Sequence, residues 1–186
     1  FPKILGRCFS MLKLTWHSPK LATKILTLTA ILVAVHVVLG KISVGSDSLF
    51  KISLGFIGTA LIGYFLGPWL GGLAMVLSDL IANTILASNG NFFIGFTFSA
   101  FLSGVIAGSL LHKQDLTWYR LAFYEFCQLV ITNVFFTTLW IHILYTTPFK
   151  TLLLARLPKE IIFWPIETIV LIVLFKALSK HKLNLD

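Results

Sequence analysis

Six apolar stretches take up most of this chain: Ala22 to Leu39, Ile52 to Leu66, Trp69 to Leu86, Phe92 to Leu111, Leu121 to Tyr145 and Ile161 to Leu178. A helix needs about 20 apolar residues to cross the hydrocarbon core, so a chain of 186 residues holds roughly five to seven spans and little else. Only 12% of the residues are charged and 57% are hydrophobic, against about 25% charged in a soluble domain. That deficit excludes disorder, a coiled coil and a disulfide scaffold. In lipid the backbone must satisfy its own hydrogen bonds, and nothing here alternates at period two as a barrel strand does. The expected fold is an all-α integral membrane protein, a compact bundle of six transmembrane helices.

Basic residues orient the bundle. Lys3, Arg7, Lys13, Lys20 and Lys24 precede or open the first span, Lys113 and Arg120 lie between the fourth and fifth, and Lys176, Lys180 and Lys182 end or follow the sixth. Ten of the fifteen cations thus fall on one side with both termini, the cytoplasmic side by the positive-inside rule. The net charge of +8 is read as basic ends beside anionic lipid rather than as a nucleic-acid surface. Residues 1–21 form a basic, cytoplasmic N-terminal segment, expected as an amphipathic interfacial anchor; residues 22–180 form the membrane domain and 181–186 a short tail. More than twenty residues precede the first span and no clean cleavage site follows it, against a signal peptide. Numbering that opens at Phe1 rather than Met leads us to expect a further short piece before it. Gly67-Pro68 predicts a sharp turn into the third span, and Gly55, Gly58 and Gly63 a short, buried or irregular second one. Pro158 and Pro165 are expected to kink or delimit the start of the sixth. Cys8 and Cys127 are too few for a disulfide framework or a zinc site.

Five cations lie instead at the outer face: Lys41, Lys51, Lys150, Arg156 and Lys159. Helix-flanking lysines commonly snorkel to headgroups, and that reading is taken for Lys51 and Lys150. Arg156 and Lys159 open an apolar helix; Arg156 either pairs with Glu160 at i,i+4 or, with Lys159, receives an anionic ligand. Phe93, Phe96 and Thr97 stand beside Asn91 and Gly95 in a loop that suits either a tight turn or a flat ligand. On the fifth span Asn133, Thr137 and Trp140, at i, i+4 and i+7, share a helix face. Asp79, with Asn83 one turn on, is an ionisable group at membrane depth and hence a functional candidate, with Glu167 ranked below it. Ala30 and Ala34, and Ala100, Gly104 and Gly108, form small-residue stripes suited to packing inside the bundle or with another subunit. No nucleotide-binding, zinc-peptidase, serine-hydrolase or C-x-x-C motif is present.

In these motifs the chain resembles the folate-specific substrate-binding subunit (S component) of energy-coupling factor (ECF) vitamin transporters. The resemblance covers nearly everything after Lys20. It rests on Ala30-x-x-x-Ala34, Lys51-Ile52-Ser53-Leu54-Gly55-Phe56-Ile57, Leu66-Gly67-Pro68 with Gly71-Gly72, and Ser78-Asp79-Leu80. Its most specific parts are Phe93-x-Gly95-Phe96-Thr97-x-Ser99-Ala100-Phe101, Thr138-Leu139-Trp140 and Ala155-Arg156-Leu157-x-Lys159-Glu160. It implies folate capture near the outer surface of a bacterial cell membrane, with both termini inside. It also implies docking on a transmembrane coupling protein with two ATP-binding-cassette ATPases, and toppling of the subunit to deliver the vitamin. Ala30 and Ala34 match the family's docking stripe. The implied pocket comprises Lys41, Asp79, Asn91, Phe93, Phe96, Thr97, Asn133, Thr137, Trp140, Arg156 and Lys159. The pterin stacks on Phe93 or Phe96 and bonds to Asp79, Asn133 or Thr137, while Lys41, Arg156 and Lys159 take the glutamate carboxylates. No cofactor is implied, since ATP is used by the partner subunits, and no catalysis. Thr137 and Lys41 depart from the Asn and Arg usual in relatives. Three rival readings are an S component for another vitamin or pterin, an intramembrane enzyme using Asp79 and Glu167, and a free-standing carrier. Competition binding, substrate turnover and transport by the protein alone separate them.

Overall fold

The structure, a computed structural model, describes residues 14–44, 52–85, 93–145 and 148–180. Its regular elements are α1 (Thr23–Lys41), the two-residue strands β1 (Ser43–Val44) and β2 (Ile52–Ser53), α2 (Gly55–Leu80), α3 (Ile94–Leu111), α4 (Trp118–Cys127), α5 (Thr137–Tyr145) and α6 (Phe149–Lys180). A π-helical turn, Ile81–Ile85, prolongs α2, and a π-helical segment, Gln128–Phe136, joins α4 to α5 in one rod. The strands pair antiparallel, Ser43 with Ser53 and Val44 with Ile52, and clip the end of α1 to the start of α2.

Five helical runs are long and apolar enough to cross a membrane. One of them, Gly55–Thr84, is two arms rather than a rod. Gly67 has φ 72° and ψ −172°, a left-handed conformation that glycine reaches without steric cost. Pro68, with φ fixed and no N–H to leave unpaired, then starts the second arm. The chain doubles back so closely that a Cβ on Gly71 would lie 3.8 Å from the Gly63 Cα. The turn expected at Gly67-Pro68 is therefore present, and the six segments are recovered. The first arm, 55–66, is only about 18 Å long and is buried at Gly58, Thr59, Ala60, Ile62, Gly63 and Leu66.

Side-chain deletion creates the central seam. A Cβ on Gly104 would lie 2.5 Å from the Gly71 carbonyl oxygen, and one on Gly108 would overlap the backbone of Gly67 and Pro68. In lipid such close backbone approach supplies the dispersion contact that the hydrophobic effect supplies in water. Around the seam lie two apolar clusters. One joins Ala60, Leu111, Leu121, Tyr124, Leu171 and Phe175; the other joins Leu32, Val37, Ile62, Leu66 and Met75.

Two expectations are corrected. Residues 14–22 have no regular structure and are not helical. Ser18 precedes Pro19, which disfavours helical backbone at Ser18, and the segment bonds to the bundle instead. The Thr15 N–H donates to the Ser109 carbonyl at 3.0 Å, and the Ser18 hydroxyl accepts the N–H groups of Trp69 and Leu70 at 3.0 and 3.3 Å, capping the second arm of α2. Residues 1–13 and 181–186 lie outside the described residues. The sixth helix begins at Phe149, twelve residues earlier than Ile161, and runs through Pro158 and Pro165. Neither proline delimits it, since neighbouring helices can meet the carbonyls that a membrane proline frees. Arg156 and Glu160 consequently stand inside the helix, not at its opening.

At the end carrying the N-terminal segment, the His112 Nδ1–H donates to the Tyr64 carbonyl at 2.8 Å. Burial, with a smaller contribution from the Lys113 charge, holds this imidazole below its ordinary 6.5. Arg120, also buried, donates from Nε to the Leu110 carbonyl at 2.8 Å and so closes the end of α3.

Candidate ligand-binding site

A cavity of about 340 Å³ opens between the first arm of α2, α3, the α4–α5 rod and α6, within the range of small-molecule sites. Ser53, Phe56 and Thr59 form one wall, Ser103 another, and Asn133, Thr137, Arg156, Glu160 and Phe163 its remaining sides, with Tyr124, Glu125, Gln128, Thr132 and Glu167 completing the lining. Gln128 anchors the polar side. Its Oε1 accepts the hydroxyls of Ser103 and Thr132, both at 3.0 Å, while its Nε2 donates to the Ser103 carbonyl at 2.8 Å and the Tyr124 hydroxyl at 3.4 Å. Asn133 Nδ2 donates to Glu160 Oε2 at 3.4 Å, tying the rod to α6.

The π segment decides which residues reach this cavity. Each π turn bonds i to i+5, so the phase of the side chains drifts from that of an α-helix. The Thr137 hydroxyl and N–H both donate to the Thr132 carbonyl, five residues back. Asn133 and Thr137 line the cavity, but Trp140, expected on the same face, does not. Trp140 instead donates from Nε1 to the Ser99 hydroxyl at 2.8 Å and stacks on Phe136 with ring centroids 6.0 Å apart.

Phe93 meets Trp140 edge-on at 5.5 Å and Phe96 at 6.0 Å. Gly95 makes this possible, because a Cβ there would collide with the Phe93 ring and lie 2.7 Å from Trp140. Thr97, one turn into α3, donates its hydroxyl to Asp79 Oδ2 at 2.8 Å, and Asn83 donates to Oδ1 at 2.7 Å. Asp79 and Lys41 line a second cavity of about 280 Å³ with His36, Gly40, Ser78 and Asn83. There His36 bridges three segments, its Nδ1 to the Ser78 hydroxyl at 2.5 Å and its Nε2 to the Thr59 hydroxyl at 3.3 Å.

The expected pocket is thus distributed. Asn133, Thr137 and Arg156 share the larger cavity, Lys41 and Asp79 the smaller, and Phe93, Phe96 and Trp140 form an aromatic group. Asn91 and the side chain of Lys159 lie outside the described residues. Glu125, Gln128, Thr59 and Glu160 were not assigned to the expected pocket. For Glu125 and Gln128 the sequence signal was the recurrence of polar residues at Glu125, Gln128 and Thr132, three and four apart on one helical face; for Glu160 it was the spacing from Arg156. The two small-residue stripes part company. Gly104 and Gly108 belong to the internal seam, whereas Ala30 and Ala34 are exposed on α1 and line an apolar groove of about 520 Å³ with Leu77 and Ile81.

The model of the ECF transporter substrate-specific component family matches residues 24–175. The folate transporter FolT of Leuconostoc mesenteroides subsp. mesenteroides is 34% identical over 159 residues, which is 82% of this chain and 85% of that protein. The folate transporter FolT of Clostridium novyi is 30% identical over 151 residues, 81% of this chain and 87% of its own. Among solved structures, a crystal structure of FolT bound with folic acid superposes with a TM-score of 0.72 at 32% identity, covering 81% of this chain and 90% of that one.

Proposed function

This chain belongs to the family of ECF transporter substrate-specific components, and from that premise we propose that it captures folate from outside the cell for an ATP-driven importer. The observation that carries the reading is its likeness, in sequence and in fold, to FolT bound with folic acid. The site chemistry supports it. Folate joins a flat pterin, an aminobenzoyl ring and a glutamate with two carboxylates. Arg156 supplies a forked cation for a carboxylate, Phe56 and Phe163 supply apolar walls, and Asn133 and Thr137 supply polar partners. Lys159, whose position in sequence follows Arg156 by most of a turn, is assigned to the same carboxylates, as is Lys41; Asp79, Thr97, Phe93, Phe96, Trp140 and, by the sequence resemblance, Asn91 are assigned to the rest of the ligand.

The subunit sits in a bacterial cell membrane, its termini in the cytoplasm and its site facing outward. It works as a transporter component rather than an enzyme and needs no cofactor of its own. The exposed groove at Ala30 and Ala34 receives the transmembrane coupling protein, whose two ATPases hydrolyse ATP while the subunit topples to release folate inward. Reconstitution tests this. Labelled folate should accumulate in proteoliposomes only when the subunit, the coupling module and ATP are all present. Equal uptake by the subunit alone would make it a free-standing carrier, and conversion of the folate would make it an enzyme.

A further inference from the structure

The inner end of the larger cavity holds an acceptor with nothing to accept. Glu125 is 3% exposed, lines the cavity, and its Oε1 is buried without a hydrogen-bond partner. A buried acceptor in that state costs free energy until a donor reaches it. Gln128, three residues on, does not supply one, since its Nε2 is already committed to the Ser103 carbonyl and the Tyr124 hydroxyl. Glu167 lines the same cavity, so its inner region holds two carboxyl groups, while Arg156 lies toward the other end of α6, one turn from Glu160, which Asn133 bonds. Arg156 and Glu167 are separated by about 16 Å along that helix. The cavity is polarised: it suits an elongated ligand with an anion at one end and N–H donors at the other, and it opposes the reverse orientation.

We propose that Glu125 accepts the paired N–H donors of the pterin head, its ring N3–H and 2-amino group, and so sets both the orientation and the head-group specificity of the ligand. A carboxylate has two oxygens that take two parallel N–H bonds, and those two donors sit side by side on one edge of the pterin. The inference rests on the folate reading above. It adds a residue and a contact that the expected pocket did not include.

The test pairs a protein change with a ligand change. Folate and 2-desamino-2-methylfolate are titrated into the wild-type protein and into E125Q, which keeps the shape but turns an NH₂ toward the ligand's donors. Wild type should favour folate by about tenfold or more, and E125Q should bind folate about ten- to a hundredfold more weakly with its preference between the two ligands largely lost. E125D, which keeps the charge but withdraws it by one methylene, should show a reduced preference and provides the measurement if E125Q does not fold. An undiminished preference in the variants, or equal loss for both ligands, overturns the proposal. Wild-type protein that binds no folate would instead refute the folate reading itself.

Discussion

Under the proposed function, Arg156 discriminates between parts of the ligand. It is half-buried on α6, lines the cavity, and presents five N–H donors in a rigid fork. A hydrogen bond to a charged group contributes about 1.5–3 kcal/mol. Arg156→Ala should therefore weaken folate by about ten- to a hundredfold and a pterin lacking the glutamate tail much less, as competition binding will reveal. Equal weakening of both would place Arg156 in the scaffold. Asn133 and Thr137 were placed on one face from sequence because polar groups at membrane depth usually face a cavity, and Arg156 was singled out as a cation at the outer face; all three line the larger cavity. Glu125 was not assigned to the pocket, because a polar residue on a membrane helix reads equally as a helix-to-helix bond, and only the packing shows its Oε1 unpartnered. Asp79 was legible as ionisable at depth, but its bond from Thr97 depends on a tertiary contact.

Among the elements, the seam between α2 and α3 tolerates least. Gly108 abuts the backbone of Gly67 and Pro68, so a side chain there has nothing soft to displace. Overpacking costs about 1–3 kcal/mol where side chains can yield, and backbone yields less. Gly108→Val should lower the melting temperature sharply or prevent recovery of monodisperse protein, whereas Ala34→Val, on an exposed face, should do neither. The end of the bundle that carries the N-terminal segment adds a pH dependence. His112 titrates below its ordinary value because burial favours the neutral ring. The unfolded chain therefore takes up the proton first as pH falls, and the stability this site contributes, complete above about 6.5, is lost progressively below it. Melting curves of the wild type should fall over that window, and His112→Asn, which retains a donor for the Tyr64 carbonyl, should flatten the fall. The Gly67 turn was readable because glycine followed by proline has few alternatives. The early start of α6 was not, because two prolines suggested a boundary and the neighbours that sustain a helix through them are distant in sequence. The π segment was equally hidden, since its sequence, Gln128–Phe136, carries no signal distinct from an α-helix; Trp140 was misplaced as a result.

At the scale of the whole molecule, six apolar segments specified the architecture, because a membrane leaves the backbone few solutions. What they left undecided was which small-residue stripe faces inward, and the structure separates the two: glycines in the seam, Ala30 and Ala34 on the outside. If that groove receives the coupling protein, Ala34→Trp should leave folate binding by the isolated subunit unchanged and abolish ATP-dependent uptake by the reconstituted complex. Retained uptake would show that the partner docks elsewhere. All of this depends on the ligand, and the most direct measurement is isothermal titration of folate into the purified, monodisperse subunit without nucleotide. The account predicts saturable binding with one folate per chain, unaffected by ATP. A folded sample at micromolar concentration that releases no heat with folate would contradict it.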